Sequence, residues 1–321
     1  MNKILRRSSV LVSAVLAASM VNAFGQATLR RAMDFDGDGK ADVAVMRSSE
    51  NTFYVNRSNG NVFSATQFGI LHTDTPAPGD YDGDGKADIA VWRYTNGVFY
   101  SLDSSTGALR TRQFGTVGDE LIQRDYDGDG KTDYAVIRRT GGAMIWYILS
   151  SSTGAFSGGQ FGLSTDLATP GDYDGDGKVD IAVQRQGTTA GSQSTFYVLA
   201  SSNGSLIVRS WGVLGDQVVP GDYDGDGKTD LAVVRRSGTT TDNLVWYILR
   251  SSDSGLTAAA FGITEWDTPI QNDYDGDGKA DIAVYRETNG VNYILRSSDS
   301  GVSGYQWGYS TDIPIGGYDV H

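Results

Sequence analysis

The stretch "PGDYDGDGKADIAVWR", residues 78–93, places Asp80, Asp82, Asp84 and Asp88 within nine residues and runs straight into an apolar segment. Carboxylates this close repel one another unless something positive sits among them. Nearly the same phrase recurs. The clusters begin at Asp34, Asp80, Asp125, Asp172, Asp222 and Asp273, at spacings of 46, 45, 47, 50 and 51 residues.

Each cluster leads into a strand-like run: "DVAVMR", "DIAVWR", "DYAVIR", "DIAVQR", "DLAVVR" or "DIAVYR". A second run follows ("VFYSLDSS", "IWYILSSS", "VWYILRSS"), then a turn such as "SNG", "STG" or "DSG" of the kind that joins antiparallel strands. A third run ends in "FG" or "WG", and a fourth short strand such as "TDTPAPGDY" carries the chain to the next cluster. Four short strands per unit of 45–51 residues predict an all-β fold, a six-bladed β-propeller of four-stranded antiparallel blades. A β-solenoid needs shorter rungs, and two sandwiches would not give six near-equal units.

Counting from the first aspartate of each cluster as position 1, carboxylates fall at positions 1, 3, 5 and 9, glycine at 6 and lysine at 7. The candidate metal ligands are therefore Asp34, Asp36, Asp38 and Asp42; Asp80, Asp82, Asp84 and Asp88; and Asp125, Asp127, Asp129 and Asp133. The second half of the chain adds Asp172, Asp174, Asp176 and Asp180; Asp222, Asp224, Asp226 and Asp230; and Asp273, Asp275, Asp277 and Asp281. The backbone carbonyls of Lys40, Lys86, Lys131, Lys178, Lys228 and Lys279 complete the expected sets. The pattern matches the first nine positions of an EF-hand loop, whose alternate residues turn oxygen toward a hard cation. Oxygen donors without His or Cys favour calcium over zinc or copper, so about six structural calcium ions are expected. Position 12 is valine in every unit (Val45, Val91, Val136, Val183, Val233, Val284), so the bidentate glutamate of an EF-hand is missing. Affinity is then expected at the extracellular grade, on the order of 10⁻⁴ to 10⁻³ M. Paired carboxylates could also suggest glycosidase chemistry, but a catalytic site needs one asymmetric constellation, and these clusters repeat six times. No catalytic residues are expected. Six of the seven lysines occupy position 7, where the simplest reading is a solvated side chain offsetting loop charge.

The units resemble FG-GAP repeats, also described as VCBS-type repeats, the blades of integrin α-subunit heads and of many bacterial secreted proteins. The "FG" stands at Phe68-Gly69, Phe114-Gly115, Phe161-Gly162 and Phe261-Gly262, with Trp-Gly at 211–212 and 307–308, and "PGD" recurs at 78–80, 170–172 and 220–222. The resemblance covers residues 34 to about 319. It implies a propeller with one calcium loop between the first and second strands of each blade, and little about biological role. "DIPIGGYDVH" at the C-terminus repeats the register of "TPAPGDY", so residues 312–318 are expected to supply the missing first strand of blade one. The alternatives are residues 28–33 in that slot, or a seventh blade.

The N-terminus reads as a secretory signal over residues 1–23, with basic Lys3, Arg6 and Arg7, a short apolar run Val10–Val21 and small residues at Val21-Asn22-Ala23. Cleavage as late as Ala27 is the alternative, leaving residues 28–321 as a single propeller domain. Loss of those three basic residues takes the formal charge from −13 to −16, which argues against nucleic acid or an anionic membrane as partner. Export to the cell surface, the medium or the periplasm is expected. With no cysteine for a disulfide staple, the metal loops are the obvious substitute.

Three further residues repeat. Arg47, Arg93, Arg138, Arg185, Arg235 and Arg286 end the second strand, Tyr54, Tyr100, Tyr147, Tyr197, Tyr247 and Tyr293 recur in the third, and Asp74, Asp119, Asp166, Asp216, Asp267 and Asp312 follow each "FG" or "WG". The expected roles are an arginine–carboxylate pair, blade-to-blade packing and a turn cap. The connections at 186–195 and 236–243 are longer than their counterparts and are candidate binding surface. The function expected is a binding or adhesion module for an unidentified protein or glycan, not an enzyme. The rival readings are a carbohydrate-active or other hydrolytic or lyase propeller, and a purely structural cell-surface scaffold.

Overall fold

The computed structural model describes residues 33–236 and 238–316. The expected signal segment and the last residues of the expected closing strand lie outside them.

Among the described residues, twenty-four strands form six four-stranded antiparallel sheets. The first sheet holds β1 (Val43–Arg47), β2 (Thr52–Arg57) and β3 (Val62–Gln67). Blade two is β4 (Asp74–Pro76), β5 (Ile89–Arg93), β6 (Val98–Leu102) and β7 (Leu109–Gln113). Blade three is β8 (Glu120–Leu121), β9 (Tyr134–Thr140), β10 (Ala143–Leu149) and β11 (Phe156–Leu163). Blade four is β12 (Leu167–Ala168), β13 (Ile181–Arg185), β14 (Gln193–Leu199) and β15 (Leu206–Val213). Blade five is β16 (Gln217–Val218), β17 (Leu231–Arg235), β18 (Asn243–Leu249) and β19 (Leu256–Ile263). Blade six is β20 (Asp267–Pro269), β21 (Ile282–Arg286), β22 (Val291–Leu295) and β23 (Val302–Gln306), and the chain ends in β24 (Ile313–Pro314). The protein is a six-bladed β-propeller.

The strand sequences explain their places. The second strand of each blade is apolar almost throughout and is covered on both faces, as Ile89–Arg93 is. The third alternates, with Phe99 and Ser101 buried between half-exposed neighbours. The fourth, such as Leu109–Gln113, is mostly exposed and forms the outer edge. The core is divided among the seams: six apolar clusters each join one blade to the next, including Val43 and Val45 of blade one with Ala283, Tyr285 and Ile294 of blade six. Trp146, Trp246, Phe53, Phe99 and Phe196 are fully buried at these seams, and burying each such side chain stabilises the fold by about 1.5–3 kcal/mol.

The "FG" glycine is required by the seam. Gly115 has φ +100°, and a Cβ there would lie 3.1 Å from the Trp92 ring and 3.3 Å from Val136 of the next blade.

The ring closes as the C-terminal register implies. β24 pairs with β1, Ile313 opposite Met46 and Pro314 opposite Val45, and Ile315 is fully buried against Met33 and Phe35. Residues 28–32 of the alternative closing segment lie outside the described residues; the Met33 carbonyl accepts the Asp42 N–H at 2.7 Å, as Gly79 accepts Asp88 in blade two.

Candidate metal centres

Each aspartate cluster forms a loop between the first and second strands of its blade. The glycines at positions 4 and 6 have φ between 78° and 87°, a conformation that L side chains avoid. That turn aims their N–H groups at the position-1 carboxylate. In blade two, Gly83 and Gly85 donate to the two oxygens of Asp80 at 2.6 and 2.9 Å, and all six loops repeat the pair. Position 9 is wholly buried and ties the loop together. One Asp88 oxygen accepts the Tyr81 N–H at 2.8 Å, and the other accepts the Ser104 N–H at 2.6 Å.

The carboxylates at positions 1, 3 and 9 converge. In Asp34/Asp36/Asp42, Asp80/Asp82/Asp88, Asp125/Asp127/Asp133, Asp172/Asp174/Asp180 and Asp222/Asp224/Asp230, one oxygen from each residue lies within 4.8 Å of the others, and one further acidic group of this kind is present. Position 5 stands outside these triads. Asp84 instead accepts the Lys86 N–H at 2.9 Å, and its counterparts Asp38, Asp129, Asp176, Asp226 and Asp277 do the same at 2.8–2.9 Å. Three hard oxygens, two of them on buried residues, fit a hard divalent cation such as calcium or magnesium.

A second layer was not anticipated from sequence. Paired residues in the turn after the third strand grip each loop from outside. Ser105, Ser152, Ser202, Ser252 and Ser298 each donate Oγ–H to the position-3 carboxylate at 2.6–2.7 Å. The preceding residues Ser58, Ser104, Ser151, Ser201 and Ser297 donate to position 5 at 2.8–3.0 Å. The signal was present as "SS" or "SN" in every unit, but it reads as ordinary turn chemistry until the fold brings that turn over the loop.

The loops also bond to one another. The position-8 N–H of each donates to the position-1 carbonyl of the loop before it: Ala87 to Asp34, Thr132 to Asp80, Val179 to Asp125, Thr229 to Asp172, Ala280 to Asp222, and Ala41 back to Asp273, at 2.6–3.0 Å. Six bonds close a circle. The lysine stems follow the same circle, a contact between neighbouring loops that the sequence reading did not include. A Cβ on Gly83 would lie 2.5 Å from Cε of Lys131, and Gly37, Gly128, Gly175, Gly225 and Gly276 are covered in the same way by Lys86, Lys178, Lys228, Lys279 and Lys40. The Lys131 ammonium donates to the Asp82 carbonyl at 3.0 Å.

Electrostatics marks the loops as short of positive charge. Burial, reinforced by neighbouring carboxylates, pushes Asp42 and Asp230 up to about 7 and Asp88, Asp125, Asp133, Asp172, Asp222 and Asp281 up to about 6, against the opposing pull of backbone N–H groups. Asp82 and Asp127 move down despite some burial, because the turn serines donate to them.

The other repeated residues gather at the opposite end of the second strand. Arg93 forks onto Asp74 at 2.7 and 2.9 Å, and its guanidinium lies 4.3 Å above the Tyr100 ring. Arg47–Asp312, Arg138–Asp119, Arg185–Asp166, Arg235–Asp216 and Arg286–Asp267 are built alike, each over its tyrosine at 4.3–4.9 Å. The aspartates also cap the "FG" turn as expected, Asp74 accepting the Ile70 N–H at 2.7 Å. Pairing and capping were legible singly; that arginine, aspartate and tyrosine form one unit was not.

A family model described as an FG-GAP-like repeat matches residues 34–91, 125–183 and 222–284. The chain belongs to the FG-GAP repeat family. Within it, the matched segments each begin at a position-1 aspartate and end at the position-12 valine of the following loop (Val91, Val183, Val284), so each takes in two loops. No curated protein matches the chain. Among solved structures, a proposed 6-phosphogluconolactonase of Bacteroides fragilis aligns at 12% identity over 87% of this chain and 96% of that one, with a TM-score of 0.41. The β-propeller domain of the Trilobed protease from Pyrococcus furiosus aligns at 11% identity over 75% and 85%, with a TM-score of 0.40. Likenesses this distant carry no functional inference.

Proposed function

We propose that this FG-GAP propeller is an exported, calcium-stabilised module that binds a protein or glycan and has no catalytic role of its own. The observation that carries the metal half is the convergence of three carboxylate oxygens within 4.8 Å in loop after loop. Calcium would take the side chains of positions 1, 3 and 9, with the position-7 carbonyl available as a further donor. The ion would supply the positive charge that these buried carboxylates lack, and so stabilise a ring without disulfides. Binding, in this reading, falls to a rigid disc whose outer strands and loop tips vary from blade to blade while the interior repeats.

The test is thermal unfolding of the mature chain in millimolar calcium and again after metal stripping. A ligand held only by the folded state raises the midpoint, by about 2.7 kcal/mol of stability per site at a hundredfold excess over Kd. Equal midpoints would remove the calcium claim. A glycan and protein binding screen on the calcium-loaded chain addresses the other half, and a scaffold without ligands would return nothing.

A further inference from the structure

The six seams provide an internal comparison, because each forms the same groove on the loop side of the ring and the sequence fills each differently. At the outer-strand position facing the groove stand Thr66, Arg112, Gly159, Arg209, Ala259 and Tyr305 in blades one to six. The equivalent positions at the end of the third strand of the following blade are Asp103, Ser150, Ala200, Arg250, Arg296 and Arg57; Thr66 shares a cavity with Asp103, and Arg209 shares one with Arg250. The seam between blades two and three is packed by Tyr134, whose ring contacts Tyr81 and Phe99 at 5.2 and 5.1 Å. The seam between blades four and five stays open, as do those between one and two and between three and four, and it alone has arginine on both sides.

That open seam holds a cavity of about 190 Å³. Its floor is Tyr173, Phe196, Val198 and Leu231, each no more than 9% exposed, and Ile207 forms part of the wall. Arg250 is fixed at one side by Asp253 and Thr257. Arg209, exposed at the other side, makes a hydrogen bond to the Val208 carbonyl and no ion pair among the described residues. No aspartate or glutamate lines the cavity. Inside it, the Ser251 hydroxyl is buried without a hydrogen-bond partner, whereas its counterparts in the other five blades donate to their loop aspartates. A buried donor left unmade is costly, and this one opens onto an apolar floor with a cationic mouth.

We propose that the cleft between blades four and five binds a small organic carboxylate with an apolar body the size of one aromatic ring. The ring lies on the floor in place of water, the carboxylate meets the Arg209 guanidinium, and the Ser251 hydroxyl donates to the ligand. An apolar site with a few convergent polar groups is the usual form of a small-ligand pocket, and arginine suits a planar carboxylate through paired N–H donors. The proposal goes beyond the metal reading and does not depend on it.

The probe is 3-phenylpropionate, titrated calorimetrically into the full mature chain in calcium-containing buffer, with 3-phenylpropionamide and propionate as controls. The expected dissociation constant is about 1 mM, with both controls at least about tenfold weaker, because one lacks the charge and the other the ring. Arg209→Ala should weaken phenylpropionate about tenfold without moving the unfolding midpoint, since the side chain is exposed. Ile207→Ser, which installs the residue found at the equivalent Ser64, Ser157 and Ser303, should weaken it comparably. Amide binding as tight as the acid, or Arg209→Ala binding like the parent, would overturn the assignment, as would no heat at about 10 mM ligand. A chain that ignores calcium yet binds phenylpropionate would sink the metal reading and leave this one standing.

Discussion

Each blade carries a polar cluster at both ends of its second strand, and the two ends solve the same problem differently. At the arginine end one buried carboxylate, such as Asp74, meets one arginine fork and one tyrosine ring. Charge is balanced within the blade. At the loop end four carboxylates crowd nine residues, and the lysine that follows lays its stem on the neighbouring loop. No such fork balances the loop end, whose converging carboxylates could hold a metal ion. One end is therefore finished when the chain folds, while the other, in the reading proposed above, is completed by a cation. Buried charge is tolerable when paired and strongly destabilising when a partner is removed, so the two ends should answer differently to the same perturbations.

The largest effect should come from cutting the seam where both ends meet the C-terminus. Deleting residues 312–321 removes β24, the buried Ile315 and the Asp312 partner of Arg47. The loop end of that seam keeps its Ala41–Asp273 bond. Loss of a buried isoleucine together with a broken, largely buried ion pair should cost at least about 4 kcal/mol, seen as a midpoint lowered by roughly 10 °C. An unchanged midpoint would mean that the loop circle alone closes the ring and that β24 is dispensable.

Within blade two, a matched pair of variants separates the ends. Asp74→Ala strands the Arg93 guanidinium and the Ile70 N–H and should cost about 2–4 kcal/mol, equally in calcium and after stripping. Asp82→Ala relieves like-charge crowding in the metal-free loop but loses the Ser105 hydrogen bonds, so its cost should be modest there and larger in calcium, with one ion fewer bound. Because loop two is hydrogen-bonded to loops one and three, the remaining ions at those neighbours should also bind more weakly. If Asp74→Ala became milder in calcium, or Asp82→Ala cost the same in both states, the contrast between the ends would fail.

How much of this could be read from the chain depends on whether partners lie within one repeat or across two. The loop, the strand after it and the "FG" turn are local, so periodicity alone placed them, and the register of "DIPIGGYDVH" was enough to assign the closing strand. The position-9 aspartate was legible as a member of the carboxylate cluster, but not as the knot between loop and serine turn. Ser104 and Ser105 sit sixteen or more residues from the aspartates they hold, and their spacing changes with the connection length in blades three to five. The Ala87–Asp34 bond and the Lys86 stem over Gly37 link different blades.

The last expected effect is a reversal of pH dependence, and it comes from the loop end. Without metal, burial holds Asp42 and Asp230 near 7 and Asp88, Asp125, Asp133, Asp172, Asp222 and Asp281 near 6, against about 3.9 in an unfolded chain. A carboxyl whose pKa is raised by folding takes up protons on folding. Its contribution is fully present below about pH 4 and is lost as pH rises through 6 to 7. Metal-stripped protein should thus unfold at a higher temperature at pH 5 than at pH 7.5. Calcium reverses the sign, because the ion binds the deprotonated carboxylates and protons compete with it; loaded protein should be less stable at pH 5. Unfolding midpoints at the two pH values, with and without calcium, check the crossing, and parallel pH profiles in both states would show that the loop carboxylates do not exchange protons for metal.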